Sequence, residues 1–494
     1  MPSTTIITQS SLNLQLLPKL VGGCEKPNFI INTNNAIKLP YVVQLIILDH
    51  CMSDSILSRK WKLSLSLVSW SFHTMVSKLF HKLRYRALDD IACHLNSRFS
   101  VLKSINSIKA IDSSLDTLKF VNIDLTNLTQ LTIKSDITVS TLQLAGHIHS
   151  LTSLSLLNPV DSADTIVSFL NQLCRINDNS DDQSNPIEYL EIQNIMIGNW
   201  QSIVDFMFKK RASLRHLVLG IIDSGGLDLL MKNLTPLDFR QLETIDIWAR
   251  GDMAAFGKHV STFPSLRSLN LSRCNQFNSL EQSLQGNQTI TRLSLPQIQS
   301  PLEFRYKGDI EQWISSMPTL SYLKLSPIYL MDNNSNSSNS NSNSNNQCNI
   351  KLNVNELELE PFNSNSIDSN NQLQLSSDSN IKHLKLSFTG LERKYNKMLC
   401  QFISHNKCLR KLTCDYSDEL LHSLYINTSI ESLYFLNVPR SKLATIMNNI
   451  QQNNKSIRSI FIPMIAIDDT PSDFNEFKYC PSSKSYYFFR EINL

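Results

Sequence analysis

The chain has 494 residues with 46 Lys plus Arg and 43 Asp plus Glu, which gives a formal net charge of +3. This near balance does not favour nucleic acid as a partner, and the length suffices for several domains or one long repeat array. No segment approaches the roughly 20 apolar residues of a membrane span, and no basic region with an apolar run opens the chain, so we expect neither a membrane partner nor a secretory signal.

The cysteines are scattered and form no CxxC pair. Most of them occupy apolar positions of the pattern described below, for example Cys174, Cys274, Cys400 and Cys414. This usage is typical of reduced, buried thiols, so we expect a protein of the cytoplasm or the nucleus.

Residues 1–36 are polar and irregular and are predicted to be a flexible lead, whereas residues 37–85 are predicted to be a helical module. Pro40 suits the first turn of a helix because its missing N–H has no partner there. After it, Val43, Ile47 and Leu48 recur at helical spacing. A second helical run, from Trp61 to Phe80, is also apolar on one face.

The segment 39–80 resembles an F-box, the helical module that docks on the adaptor of a cullin-RING ubiquitin ligase. The resemblance is carried by Leu39-Pro40, by Ile47-Leu48 and by LSLSLVSWSFHTM, which begins at Leu63. Val42 stands where that family usually has an acidic residue, and Trp70 stands where it usually has a basic one. The resemblance implies that the adaptor-binding residues are Leu39, Pro40, Ile47, Leu48, Val68 and Phe72. The alternative is a helical cap that closes the first repeat.

The remainder is organised around the spacing L-x-x-L-x-L, as in Leu266, Leu269 and Leu271, with Cys274 at the ninth position. The copies begin about 26 residues apart, within the range of leucine-rich repeats. Their first residues are Leu115, Leu128, Leu151, Ile187, Leu214, Leu242, Leu266, Ile290, Leu320, Val354, Ile381, Leu409, Ile430 and Ile457. Because alternate side chains of a strand share a face, stacked copies would join their leucines into one core. We therefore predict an α/β fold over 86–465, a leucine-rich-repeat solenoid with a parallel sheet on its concave side and helices on its convex side.

Segments with apolar residues at helical spacing lie between these strands. They are Thr165–Cys174, Gln201–Lys210, Leu227–Leu234, Ile310–Met317, Tyr395–His405 and Lys442–Ile450. Outside Cys274, the copies lack the Asn or Cys expected at the ninth position. An Asn/Ser-rich insert at 331–349 and a polar loop at 361–380 are predicted to be disordered, and 466–494 to be a cap or tail.

The sequence has no GxxxxGK[ST], GxGxxG, GxSxG or HExxH motif, so we expect no enzyme and no cofactor. His147 and His149 could share one face of a strand, but no acidic residue or cysteine is near them in sequence. Cys400, Cys408 and Cys414 lie close to His405, but Cys400 and Cys414 occupy apolar positions and are better explained by burial than by metal binding.

After catalytic and metal sites are set aside, the function that the sequence predicts is protein binding through an exposed surface. Aromatic residues on an exposed strand face are typical of protein interfaces. The predicted target-binding residues are Tyr189, His216, Trp248, Tyr322, His383 and Tyr434. With the F-box resemblance, they predict a substrate receptor of a cullin-RING ligase, whose partners are the ligase adaptor and a target protein, with no small-molecule substrate. The alternative is a leucine-rich-repeat scaffold without a ligase role.

Overall fold

The computed structural model describes residues 41–53, 70–79, 82–85, 106–110, 127–134, 148–157, 163–175, 186–193, 200–249, 253–272, 274, 280–295, 310–326, 330, 350–360, 375–386, 393–463, 477–482 and 485–490. The chain forms two compact units, one of 1–131 with 138–150 and one of 132–137 with 151–494. The predictions for 1–36, for the copy that begins at Leu115 and for the insert at 331–349 lie outside the described residues.

The first unit includes 37–85, the segment predicted to be a helical module, and the structure describes two helices and one strand there. Helices α1 (Tyr41–Ser53) and α2 (Trp70–Leu79) pack against each other, and Leu48, Met75 and Val76 are buried. Two strands that were not predicted follow, β1 (Lys82–Tyr85) and β2 (Ser107–Ala110), which pair in parallel. The next strand, β3 (Gln130–Ile133), has residues in both units and carries the apolar positions of the copy that begins at Leu128.

The second unit is built on a parallel sheet. Its parallel strands are β4 (Ser153–Leu157), β5 (Tyr189–Gln193), β6 (His216–Ile222), β7 (Thr244–Ala249), β8 (Ser268–Asn270), β9 (Arg292–Ser294), β10 (Tyr322–Leu325), β11 (Glu356–Leu359), β12 (His383–Leu386), β13 (Lys411–Cys414), β14 (Ser432–Phe435) and β15 (Ser459–Pro463). Each strand from β4 to β14 pairs with the next strand in sequence. Strand β11, which lies between the two polar insertions, belongs to the sheet like the others.

The sheet ends in an antiparallel hairpin. Strand β17 (Ser485–Arg490) pairs with β15, and β16 (Phe477–Ser482) pairs with β17 on its other side. The hairpin falls within 466–494, which was predicted to be a cap or tail. It covers the N–H and C=O groups of β15 that would otherwise form an open sheet edge.

Helices connect the parallel strands. They are α3 (Ala163–Arg175), α4 (Trp200–Lys209), α5 (Ser224–Asn233), α6 (Met253–Val260), α7 (Leu280–Leu284), α8 (Ile310–Ser315), α9 (Arg393–His405), α10 (Asp418–Ile426) and α11 (Leu443–Asn453), which follows a 3₁₀ turn at Arg440–Lys442. The six predicted helices are confirmed to within three residues at each end, whereas α6, α7 and α10 were not predicted.

The core is formed by the strand leucines and by the buried faces of the helices. Leu154, Leu190, Leu217, Ile245 and Leu269 lie side by side on successive strands, and each has an exposed fraction of 0%. The alternate residues of the same strands are mostly half-exposed. The predicted fold class, an α/β leucine-rich-repeat solenoid, is thereby confirmed.

Buried asparagines connect the later repeats in a way that was not predicted. Asn287, Asn406, Asn427 and Asn454 each stand three residues before the first apolar residue of a copy, and their exposed fractions are 8%, 1%, 2% and 3%. The side-chain oxygen of each accepts hydrogen bonds from the backbone N–H groups two and three residues later. The side-chain nitrogen donates to carbonyls of the preceding repeat. We call these four residues the asparagine ladder.

The residue that fills the ladder position differs between repeats. In other repeats the position that precedes the first apolar residue by three holds Phe239, Phe263 or Met317, and all three are buried. At the ninth position Cys274 is buried, and its thiol donates to the Ile247 carbonyl at 3.3 Å. Either a large apolar group or a fully bonded amide can therefore occupy the position three residues before the first apolar residue of a copy.

The end of the predicted polar loop at 361–380 is ordered. Leu375 forms a parallel bridge with Ile350, and Ser379 is fully buried and accepts a hydrogen bond from the Leu352 N–H at 3.0 Å. The prediction of disorder is wrong for 375–380, because these side chains close the turn before β12. Residues 361–374 lie outside the described part of the chain.

Candidate functional site

Helix α1 exposes an apolar face in the first unit. Val42, Val43, Ile46 and Ile47 have exposed fractions of 65%, 36%, 63% and 47%. With 3.6 residues per turn, these positions span about 140° of the helix circumference and form one continuous strip. We call these four residues the α1 strip. Clustered exposed apolar residues of this kind mark interaction surfaces, whereas isolated ones do not.

Three of the residues predicted to bind an adaptor, Leu39, Pro40 and Val68, lie outside the described residues. Ile47 belongs to the α1 strip. Leu48 is only 3% exposed and points away from the strip, so its predicted contact with a partner is corrected to a packing role. Phe72 of α2 is half-buried. The strip residues Val42, Val43 and Ile46 were not among the predicted adaptor-binding residues, although the recurrence of β-branched residues at i, i+1, i+4 and i+5 could have indicated them.

In the second unit, the outward-facing side chains of β4 to β15 form a surface that we call the open face. The strand register places Tyr189, His216, Tyr322 and His383 in one row across the sheet. Tyr434 lies in the adjacent row, beside Phe461. Trp248 lies further along its strand, two residues after Asp246. Five of the six predicted target-binding residues are half-exposed on the open face, and Tyr322 is not.

Tyr322 is 9% exposed because its neighbours cover it. The Arg292 guanidinium lies 3.9 Å from the centre of its ring, and its hydroxyl donates to Glu358 Oε2 at 2.9 Å. The prediction that Tyr322 contacts a partner is therefore corrected, since the ring packs within its own repeat array.

The open face of β10 to β13 is a network of ion pairs. Glu358 Oε2 lies 3.0 Å from Lys385 Nζ, Glu358 Oε1 lies 3.7 Å from Lys324 Nζ, and Lys324 also pairs with Glu360. Burial raises the pKa of Glu358, but hydrogen bonds from Lys385 and Tyr322 and the two lysine charges bring that pKa below its usual value. Most of the charge in this part of the face is neutralised internally.

His383 lies at the edge of this network. Its Nδ1 is 3.2 Å from a Glu356 carboxylate oxygen, and its Nε2 is 3.2 Å from the Thr413 hydroxyl. Burial and the nearby Lys411 cation lower the pKa of His383, despite the carboxylate. Lys411 itself lies over the Tyr434 ring, 4.4 Å from its centre.

The open face of β4 to β6 has a different chemistry. The Tyr189 hydroxyl donates to Glu191 Oε2 at 3.1 Å, and the amide of Gln193 donates to Glu191 Oε1 at 2.5 Å. The His216 ring flanks Tyr189 with ring centres 6.3 Å apart. The described hydrogen bonds to Glu191 thus come from neutral donors.

Within the described residues, no three His, Cys, Asp or Glu side chains come together in a way that could hold a metal ion. Burial raises the pKa of the Cys274 thiol to about 12 and that of Cys414 well above its usual value. His147 is outside the described part of the chain. No helix that the structure describes has the length and apolar character needed to cross a bilayer.

No protein-family model matches the sequence, and no curated protein matches it either. Solved structures with some likeness include a TLR13–ssRNA13 complex, at 15% identity and a TM-score of 0.39, where the match covers 74% of this chain and 54% of that one. The chain therefore spans about half the length of that chain.

Two further structures match over most of their length. One is the Rad7 and Elc1 complex in yeast, at 12% identity and a TM-score of 0.33, covering 86% of this chain and 93% of that chain. The other is the leucine-rich-repeat domain of APL1B, at 12% identity and a TM-score of 0.25, covering 85% and 96%. Similarity at this level carries no information about a partner.

Proposed function

We propose that the chain is a substrate-recognition subunit of a cullin-RING ubiquitin ligase. The helical module would bind the ligase adaptor, and the open face would bind a target protein. The chain would perform no bond chemistry and would contribute proximity, because it holds a lysine-bearing target near the enzyme that carries ubiquitin. It would need no cofactor.

The observation that carries the proposal is the α1 strip. A helical cap that closes a repeat array buries its apolar face, whereas a docking module keeps that face accessible for its partner. Val42 and Ile46 are 65% and 63% exposed, although the same helix buries Leu48. Covering such side chains with a partner stabilises a complex by about 25 cal/mol per Å² of apolar area. Valine at position 42, where the family usually has an acidic residue, adds to this apolar area.

The test is co-elution of the full chain with a recombinant ligase adaptor in size-exclusion chromatography. Val42→Asp/Ile46→Asp should abolish co-elution, because two carboxylates would be buried without partners at the interface. It should leave the melting temperature nearly unchanged, because both side chains face solvent in the isolated chain. Leu237→Asp is a matched control, since Leu237 is 75% exposed on the second unit and should not affect the adaptor.

Two outcomes would reject the proposal. One is a folded wild-type chain that does not bind the adaptor at micromolar concentration, which would leave the scaffold without a ligase role as the better explanation. The other is an equal loss of binding in the Val42→Asp/Ile46→Asp and Leu237→Asp variants, because binding would then not depend on the α1 strip.

A further inference from the structure

We infer that Tyr189 and Glu191 on the open face receive an arginine side chain from the target protein. The inference rests on the proposed role of the open face in target binding and specifies the chemistry of the partner. It comes from a comparison of two places in the same sheet where a tyrosine donates to a glutamate.

The first place is complete within the chain. Tyr322 donates to Glu358 at 2.9 Å, and Arg292, its neighbour on the preceding strand, lies over the tyrosine ring at 3.9 Å. The guanidinium thus stacks on an aromatic face, while the Glu358 carboxylate that accepts from this tyrosine pairs with Lys324 and Lys385. An arginine suits this setting because its planar cation can stack on a ring while its N–H groups remain available for hydrogen bonds.

The second place also has a tyrosine that donates to a glutamate, here two residues along the same strand, but it has a different neighbour. Tyr189 donates to Glu191 at 3.1 Å, and the residue opposite Tyr189 on the preceding strand is Ser153. Ser153 is too short to cover the ring, and Tyr189 stays half-exposed where Tyr322 is buried. The described outward positions of β4, β5 and β6 carry no lysine or arginine. His216 occupies the other flank of Tyr189, so among the residues that the structure describes the less covered flank is the one next to Ser153.

Charge complementarity identifies the occupant. Glu191 is held by the Tyr189 hydroxyl and the Gln193 amide, which orient the carboxylate without neutralising it. A cation from a partner would therefore meet a carboxylate already fixed in position, and this lowers the ordering cost of binding. The partner arginine would take the place beside Tyr189 that Arg292 takes beside Tyr322.

The test measures fluorescence anisotropy of labelled hexa-arginine and hexa-lysine peptides with the full chain. Hexa-arginine should bind more tightly, because lysine lacks the planar group that stacks on Tyr189. Glu191→Gln keeps the size of the side chain and one acceptor oxygen but removes the charge, and it should weaken hexa-arginine binding by about fivefold or more. If that variant does not fold, Tyr189→Leu provides the same comparison through the loss of stacking.

A more specific variant is Ser153→Arg, which supplies the arginine from within the chain. It should weaken hexa-arginine binding about as much as Glu191→Gln does. Ser268→Arg is the matched control, because it adds the same charge to the same row on β8, three strands from β5, and should weaken binding less than about twofold. All four variants should still co-elute with the adaptor, so a failure of this inference is distinguishable from a failure of the proposed function.

The inference is overturned by any of three results. The first result is that the wild-type chain binds neither peptide at about 1 mM, the weak limit of specific recognition. The second is that hexa-lysine binds as tightly as hexa-arginine. The third is that the Ser153→Arg and Ser268→Arg variants weaken hexa-arginine binding equally, which would indicate a general charge effect instead of a site at Tyr189.

Discussion

Replacing Asn427 with alanine removes the central member of the asparagine ladder. The Asn427 side-chain nitrogen donates to the carbonyls of Ile403 at 2.6 Å and Asn406 at 2.8 Å. Its side-chain oxygen accepts from the N–H groups of Ser429 at 2.8 Å and Ile430 at 3.0 Å. All four backbone groups would lose this partner in a region that is closed to solvent.

Each buried polar group left without a partner costs about 1–3 kcal/mol. Water that enters the space vacated by the amide would recover part of this, so we expect Asn427→Ala to lower the free energy of unfolding by about 3–5 kcal/mol. Asn453 is the control, because it is exposed and makes one hydrogen bond, to the Asn449 carbonyl at 3.0 Å. Asn453→Ala should change stability by less than about 0.5 kcal/mol.

The measurement is urea-induced unfolding followed by circular dichroism. A loss below about 1 kcal/mol for Asn427→Ala, or a loss equal to that of Asn453→Ala, would refute the role assigned to the ladder. Asn427→Asp adds a test by pH, since a carboxylate can accept from Ser429 and Ile430 but its oxygens would face two carbonyls. The pKa of this aspartate would be raised, so the variant protein would be most stable below about pH 3.9, and its stability would fall as pH rises.

Three more predictions concern other parts of the structure. Gly226→Ala should destabilise the chain by about 1–3 kcal/mol in urea unfolding, because a Cβ there would lie 2.6 Å from Trp200 Cδ1, whereas Gly225→Ala, with 3.9 Å to its nearest atom, should be neutral or stabilising. Because the pKa of Glu358 is lowered, its stabilisation is present above about pH 4.3 and is lost as pH falls, so the melting temperature of Glu358→Gln should fall less on acidification than that of the wild type. Cys274 and Cys414 should resist a thiol reagent at pH 8 until the chain is unfolded, since both are buried with raised pKa values, and rapid labelling of either in the native state would contradict their burial.

The strands were predictable because their signal is carried by single residues at fixed spacing. Each L-x-x-L-x-L copy within the described residues contains a strand, including the copy at Val354, whose flanks are polar. Helix α10 was not predicted, although Ser417 caps it and Asp418 and Glu419 open its first turn. Helix α6 contains Gly257 and spans only two turns, so its periodicity is weak.

The candidate surfaces were less predictable than the strands. Alternation along a strand indicates which residues face outward, and it placed Tyr189 and His216 on the open face. It does not indicate which of them are covered by a neighbour on an adjacent strand, and Tyr322 was misassigned for that reason. Leu48 and Ile47 are adjacent in sequence, and only the packing of α2 determines that Leu48 is buried while Ile47 is exposed.

The asparagine ladder also restricts how the protein can be produced. Asn287-Gln-Thr, Asn427-Thr-Ser and Asn454-Lys-Ser each match the acceptor sequence for N-linked glycosylation. In the folded chain their amides are buried and already bonded to the backbone, so none of them could accept a sugar. A chain passed through a secretory host could be modified before it folds, and the attached glycan would then occupy the core between repeats. Expression in the cytoplasm of a host that does not glycosylate should therefore give folded protein, and secretion should give misfolded protein unless these residues escape modification.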